Sequence, residues 1–133
     1  MSKENVEVMR RAYEVMNGAG LDAAVVQFAH PEIEFVPPPE LPAGTARGIE
    51  AVAQFARQWV ETFDDFRIEP ERFIDPGGDQ VVAYVRDSGR IKGSGAEIHN
   101  RFIHVWTLAA GKIIKWQTFM DESRALEAAG LQD

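Results

Sequence analysis

The spacing of apolar residues changes once along the chain, and this change constrains the fold more than any other feature. Before Phe63, apolar side chains recur every three or four positions, as at Val6, Met9, Tyr13 and Met16. After it, apolar and polar residues alternate, which is the period of a half-buried β-strand. The sequence therefore predicts helices followed by a sheet, an α+β fold.

Three helices are predicted before the change, over residues 2–17, 21–29 and 49–63. The first ends at a pair of glycines, and the second ends near Pro31 because the residue before a proline avoids the helical region. A strand over 33–36 and the loop PPPELP separate the second helix from the third. We expect this loop to lie at the mouth of a pocket, because a proline-rich recognition peptide would be unusual inside a domain.

Four further strands are predicted over residues 66–74, 80–88, 97–108 and 112–120, each separated from the next by turn-forming residues. A last short helix is expected over 121–129, with the Asp121 side chain capping its N-terminus. No repeat or linker interrupts the pattern. We expect one domain over residues 1–133.

The composition excludes several classes of function. Asp and Glu number 21 against 14 Lys and Arg, so the net charge of −7 disfavours nucleic acid and anionic membranes as partners. The absence of cysteine excludes thiol chemistry and thiolate metal sites. The histidines lack a metal-binding spacing and no phosphate-binding motif is present, so we expect neither a metal nor a cofactor. The charged N-terminal segment is unlike a signal peptide, which indicates a cytoplasmic protein.

Residues 99–106, HNRFIHVW, carry bulky groups at every position of one predicted strand. Side chains alternate along a strand, so His99 and Arg101 share one face while His104 and Trp106 share the other. Both faces should therefore be covered. We expect the helices to cover one face and enclose a cavity, and a second subunit to cover the other in a symmetric dimer.

Several segments resemble the SnoaL-like family of the nuclear transport factor two-like superfamily. The matching pieces are ENVEVMRRAYEVMNGAGLDA, FAHPEIEFVPPPELP, FIHVWTLAAGKIIKWQTFMD and ALEAAGL, which together span nearly the whole chain. The resemblance implies three N-terminal helices packed on a curved, mostly antiparallel sheet, a short C-terminal helix, and a cone-shaped pocket. Relatives in this superfamily include ketosteroid isomerases, limonene epoxide hydrolases and polyketide cyclases.

The resemblance does not carry over the catalytic residues of these enzymes. The general-base aspartate of ketosteroid isomerases falls at Val36, their protonated aspartate near Ile103, and their oxyanion-binding tyrosine near Ala12 or Tyr13. Two acidic positions are apolar here, which argues against that isomerisation mechanism. Of the Asp-Arg-Asp triad of limonene epoxide hydrolases only the arginine is retained, at Arg101.

The same alignment implies which strand side chains point into the cone. The implied inward residues are Glu32, Glu34, Val36, Val82, Tyr84, Arg86, His99, Arg101, Ile103, Val105, Ile114, Trp116, Thr118 and Met120. The implied outer, dimer-forming residues are Phe102, His104, Trp106 and Gln117. A one-residue bulge in a strand would exchange the two sets.

On this basis we predict catalytic roles for Glu34, Arg101 and His99. A carboxylate in an apolar cavity suits general acid or base chemistry, a guanidinium can position it or hold an oxyanion, and an imidazole can transfer protons near neutral pH. The alternative for the first two is a structural ion pair, and for His99 a place at the cavity rim. Predicted ligand-binding residues are Tyr13, Trp59, Phe63, Tyr84, Arg86, Trp116, Thr118 and Met120.

The sequence leaves three functions open. The first is binding of a small apolar or aromatic metabolite with cofactor-free acid/base catalysis, such as isomerisation, cyclisation, dehydration or epoxide hydrolysis. The second is ligand binding without catalysis, because the acids of the catalytic relatives are missing. The third is a purely structural or partner-docking dimer.

Overall fold

The computed structural model describes residues 2–41 and 44–131, except for the side chain of Ser2. Pro42 of the proline-rich loop lies outside these residues. The helices are α1 Ser2–Gly18, α2 Leu21–Phe28, α3 Ile49–Glu61 and α4 Glu122–Ala128. The strands are β1 Ala29–Val36, β2 Ala46–Arg47, β3 Phe63–Ile74, β4 Gln80–Ile91, β5 Glu97–Ala109 and β6 Lys112–Phe119.

The strands form one sheet in the order β2-β1-β6-β5-β4-β3. β1 runs parallel to β6, and every other neighbouring pair is antiparallel. The predicted α+β fold and its helix and strand order are confirmed. Strand β2 was not predicted, because two residues carry no periodic pattern.

Side-chain hydrogen bonds fix two of the helices at their ends. The Asn17 side chain, at the end of α1, donates to the Ile68 carbonyl at 2.7 Å and accepts from the Ile68 amide at 2.9 Å. It thereby ties α1 to the edge strand β3. Asp121 caps α4 as predicted, since its carboxylate accepts from the Ser123 amide at 2.8 Å.

The two faces of the sheet are covered by different helices. Helices α1 to α3 pack on what we call the inner face, where a continuous core includes Val81, Ala83 and Val85 of β4. Helix α4 packs on the opposite, outer face, where Ala125 meets Val82 and its neighbours on β5. The inner face is therefore the one that can enclose a site.

The predicted facing of β5 was wrong because of a bulge in the β5–β6 hairpin. The turn pairs Ala109 with Lys112, and an unbroken ladder from there would set odd-numbered residues of β5 opposite even-numbered residues of β6. The register instead shifts next to Thr107, so His104 lies directly opposite Thr118. Since β4 pairs regularly with β5, its facing is reversed as well.

The bulge moves the predicted dimer surface into the core. Phe102, His104 and Trp106 are buried, and they line the cavity or pack in the core beneath the helices, so their predicted place on an outer dimer face is wrong. Gln117 lies opposite Val105 on the outer face, as predicted.

The predicted facing of β1 was also wrong. Ile33 and Phe35 are buried in the core, whereas Glu34 lies between them on the other side, opposite Arg47. Apolar side chains of an alternating strand bury, and the charged ones stay near water. Glu32 is exposed. The other predicted inward residues that lie on the outer face are Val36, Val82, Tyr84, Arg86, His99, Arg101, Ile103 and Val105.

Candidate active site

A cavity of about 40 Å³ lies between the inner face and the helices, and it is partly open to solvent. Its walls are mainly apolar. The lining residues are Leu21, Phe35, Pro38, Leu41, Phe55, Trp59, Ile68, Asp87, Phe102, His104, Trp116 and Thr118. Pro38 and Leu41 belong to the proline-rich loop, which therefore contributes to the cavity wall.

Aromatic rings form much of the wall. Phe35 packs against Phe55 and Trp116, with ring centroids 4.5 Å apart in both pairs. Trp59 of α3 packs edge-on against Phe102 of β5, with ring centroids 6.4 Å apart. Rings from three strands and from helix α3 thus pack against one another in the wall, and an aromatic wall suits a flat apolar ligand.

Asp87 of β4 is the acid of this cavity. Its residue is only 5 % exposed, and its Oδ2 accepts a hydrogen bond from the Trp59 indole at 3.2 Å. Its Oδ1 is buried and has no hydrogen-bond partner. Burial raises the pKa of Asp87 to about 7, against the smaller opposing effect of the Trp59 hydrogen bond. A carboxyl group with such a pKa can give or take a proton at neutral pH.

His104 of β5 lies in the same cavity as a neutral imidazole. It is 3 % exposed, and desolvation lowers its pKa to about 3. Its Nδ1 lies 2.7 Å from the Tyr13 hydroxyl, which in turn accepts a hydrogen bond from the Trp106 indole at 2.8 Å. Burial raises the pKa of Tyr13 well above its usual value, so the phenol keeps its proton.

Two further polar groups of the cavity wall have no partner. The indole nitrogen of Trp116 and the hydroxyl of Thr118 are both buried without a hydrogen bond. An unpaired buried polar group costs roughly 1–3 kcal/mol, so most buried polar groups in native proteins are paired. Together with the free oxygen of Asp87 elsewhere on the wall of the same cavity, they indicate places where polar ligand groups or water are bound.

The three residues predicted to be catalytic lie away from this cavity. Glu34 pairs with Arg47 at 3.0 Å beside β2. The side chain of Arg101 is 74 % exposed and lies 3.7 Å from Glu71, and that of His99 is 56 % exposed. The structure does not bring the three together. Their catalytic roles stay predictions, and they would have to act outside the cavity.

The predicted ligand-binding residues divide into two groups. Trp59, Trp116 and Thr118 line the cavity. Tyr13 lies one hydrogen bond behind it, and Phe63 packs against Trp59 with ring centroids 5.4 Å apart. The rest are remote from it: Tyr84 donates to Glu122 of α4, Arg86 pairs with Glu69, and Met120 is 47 % exposed.

Asp87 and His104 were not predicted as site residues, although the sequence holds a signal for the first. In strand β4 the apolar residues Val81, Ala83 and Val85 recur at every second position, and Asp87 occupies the next position of this series. A lone acid on the apolar side of a strand is unusual, because it must be buried. That parity would have placed Asp87 in the core.

The described residues contain no cluster of three or more histidine and acidic side chains able to hold a metal ion. In the same part of the chain no helix is long and apolar enough to cross a membrane.

The chain is an α+β domain whose helices and inner sheet face enclose a mainly apolar cavity with a few buried polar groups. The family model for the SnoaL-like domain matches residues 9–116, and the chain belongs to this family. No curated protein sequence matches the chain.

Solved structures with the same fold cover almost the whole chain. A putative SnoaL-like polyketide cyclase from Jannaschia sp. CCS1 is 21 % identical, with a TM-score of 0.78 over 100 % of this chain and 96 % of its own. An NTF2-like protein from Burkholderia thailandensis is 27 % identical, with a TM-score of 0.74 over 97 % and 98 %.

A protein from Catenulispora acidiphila with a ketosteroid isomerase-like fold, solved in complex with trimethylamine, is 16 % identical, with a TM-score of 0.74 over 95 % of this chain and 94 % of its own. These likenesses support the fold.

Proposed function

We propose that the cavity binds a small, mainly apolar molecule and that Asp87 transfers a proton to or from it in a reaction that needs no cofactor. The observation that carries this proposal is the unpaired Oδ1 of Asp87, buried in a cavity with aromatic walls. The SnoaL-like family, whose members commonly bind small molecules or act as cyclases or isomerases, supports the same class of function.

The environment of Asp87 suits both directions of proton transfer. A pKa of about 7 leaves comparable amounts of the acid and the carboxylate at neutral pH. The Trp59 indole holds Oδ2 in place, so Oδ1 is the oxygen that is free to meet a ligand. Isomerisation, cyclisation or dehydration each need such a group, and the ligand decides among them.

Ligand binding without catalysis is the second candidate. Asp87 is the one acidic residue among the described residues that line the cavity, and no lysine or arginine joins it there. A mechanism that needs two acids, or an acid with a guanidinium, therefore lacks its second group. Turnover in excess over protein would exclude this candidate.

A homodimer through the outer face, with Gln117 in the contact, remains part of the proposal. The buried residues Phe102, His104 and Trp106 take no part in it. Sedimentation equilibrium of the wild type and of Gln117→Glu tests the contact: a dimer weakened by the new charge supports it, and a monomeric wild type contradicts it.

The first test of the site is a thermal-shift screen of steroids, polyketide intermediates, terpene epoxides and small aromatic acids. A ligand at about 100 times its dissociation constant stabilises the folded state by about 2.7 kcal/mol, which raises the midpoint by several degrees. The ligand-induced rise of the midpoint should differ from the wild-type value in Asp87→Asn. It should equal the wild-type value in Arg101→Ala, the matched control on the exposed face. A rise lost in the control alone would contradict the proposed site.

Proton transfer is then tested directly with each ligand that binds. The ligand is incubated with protein in D₂O, and loss of its C–H signals is followed by proton NMR. The wild type should exchange hydrogen for deuterium at a rate that Asp87→Asn lowers at least about 100-fold, the usual contribution of a general acid or base. Exchange at the same rate in both proteins would exclude Asp87 as the proton-transfer group.

A further inference from the structure

Three side chains with hydrogen-bonding groups are neighbours on one part of the cavity wall. His104 and Thr118 lie directly opposite each other on β5 and β6, and Trp116 lies two residues before Thr118 on the same face. The rings of His104 and Trp116 have centroids 5.7 Å apart. The Trp116 nitrogen and the Thr118 hydroxyl have no partner. We refer to His104, Trp116 and Thr118 as the donor cluster.

The proton positions behind the cluster follow from counting donors and acceptors at Tyr13. The Trp106 indole can only donate, so the Tyr13 oxygen accepts its hydrogen bond at 2.8 Å. The buried phenol then has one hydrogen to give. Within the described residues, the acceptor that lies within reach of it is His104 Nδ1, at 2.7 Å. Nδ1 therefore accepts, and the single proton of the neutral imidazole is on Nε2.

We propose that the donor cluster binds an acceptor oxygen of the ligand, such as a carbonyl oxygen, and that Tyr13 is a positioning residue that holds His104 as the Nε2–H donor. This inference deepens the proposed function and rests on it for the existence of a ligand. The chemistry follows from the groups present, since an imidazole N–H and an indole N–H both donate and Thr118 can do so. An ammonium group, which only donates, does not fit.

The position of Asp87 adds a constraint on the ligand. Asp87 lies opposite Asn100 on β5, and Asn100 is four residues before His104 on that strand. Phe102 lies between Asn100 and His104 on the same face. Four residues of an extended strand span roughly 13 Å. The donor cluster and the acid therefore meet different parts of one molecule: the cluster orients one end while Asp87 acts near the other.

The tautomer can be read without any ligand. Two-bond ¹H–¹⁵N correlation spectra of uniformly labelled wild type separate a protonated from an unprotonated ring nitrogen. We expect His104 to show an unprotonated Nδ1 and a protonated Nε2. A proton on Nδ1, or a doubly protonated ring at neutral pH, overturns the inference, whether or not Asp87 transfers a proton to any ligand.

The role of Tyr13 is tested by Tyr13→Phe, with Tyr84→Phe as the matched control on the outer face. We expect the first variant to show a mixture of tautomers at His104, because Nδ1 has lost its donor, and the second to leave the spectrum unchanged. An unchanged tautomer in folded Tyr13→Phe contradicts the positioning role. If that variant does not fold, the wild-type spectrum alone decides the tautomer.

The acceptor preference is tested with two probes of the same shape, indan-1-one and indane, which differ by one carbonyl oxygen. The ketone should bind the wild type about tenfold more tightly than the hydrocarbon, which corresponds to one net hydrogen bond. The Nε2 resonance of His104 should move with the ketone only. Equal affinities, including no binding of either probe, overturn the acceptor site, whereas the D₂O exchange assay judges Asp87 separately.

Discussion

His99 and His104 lie five residues apart on one strand, on opposite faces of the sheet, and their chemical environments differ. His104 is buried, neutral and hydrogen-bonded to Tyr13, with a pKa lowered to about 3. His99 stands in solvent 3.4 Å from Glu97. The residue type is the same, so the difference in burial and in hydrogen-bond partner comes from the face of the sheet on which each ring lies.

The acids of the two faces differ in the same way. On the outer face and the sheet edges the carboxylates meet arginines near water, as in Glu69 with Arg86 at 3.4 Å. Such pairs contribute little to stability. On the inner face Asp87 has an indole for a partner and one free oxygen. The inner face thus buries polar groups that lack hydrogen-bond partners, and this burial destabilises the fold. Such a cost to stability is expected of a binding site.

The largest expected effect concerns Asp87. Its pKa is raised from 3.8 to about 7, so between pH 4 and 7 the folded state keeps a proton that the unfolded state loses. Its contribution to the free energy of unfolding therefore falls as pH rises, by about 4 kcal/mol in all. The free energy of unfolding of Asp87→Asn should therefore rise relative to that of the wild type by about 4 kcal/mol between pH 4 and pH 8, as measured by urea unfolding.

The comparison has to be made as a difference between two proteins. His104 acts in the opposite sense, because its lowered pKa makes the fold more stable as pH rises from about 3 to 6.5. The subtraction removes this effect, which is common to both proteins. Thr118→Val serves as control, since it changes no ionisable group. A difference that is flat across pH would show that Asp87 is not desolvated.

Tyrosines on the two faces provide the next test. Tyr13→Phe leaves the Trp106 indole and the His104 Nδ1 without a partner in the core, which should cost about 2 kcal/mol. Tyr84→Phe removes a hydrogen bond to Glu122 near solvent, where water replaces the lost group, and should cost less than about 1 kcal/mol. Chemical denaturation of both variants measures the contrast. Equal costs would contradict it.

Thr118→Val should increase stability. The hydroxyl is buried without a partner, and valine has nearly the same shape, so the change removes the cost of an unpaired polar group, about 1 kcal/mol. The same variant should bind indan-1-one less tightly, since one group of the donor cluster is gone. A loss of stability would indicate that the hydroxyl is paired in solution, for example by bound water.

The order of helices and strands was predictable because apolar residues recur at different spacings in helices and in strands. Capping by Asp121 was predictable too, since the carboxylate stands directly before a helical pattern. The facing of the strands was not. It depends on the bulge beside Thr107, which inserts one residue without a distinctive sequence and reverses every side chain of β5 relative to β6.

The error at β1 has another origin. There the alternation of Ile33 and Phe35 with Glu32 and Glu34 indicates which side is buried, whereas the resemblance to catalytic relatives implies the opposite facing. The same alternation on β4 indicates a buried Asp87. The chemistry at Tyr13 and His104 could not be read from the sequence, because the two residues are 91 positions apart and meet only in the fold.

The smallest expected effect tests the site predicted from the sequence against the one that the fold builds. Arg101 pairs with Glu71 at 3.7 Å in an exposed position, so Arg101→Ala should change the free energy of unfolding by less than about 0.5 kcal/mol. It should also leave ligand-induced thermal shifts unchanged. If these shifts disappear in Arg101→Ala and persist in Asp87→Asn, the functional site is on the outer face, and the contrast between the two faces has to be reversed.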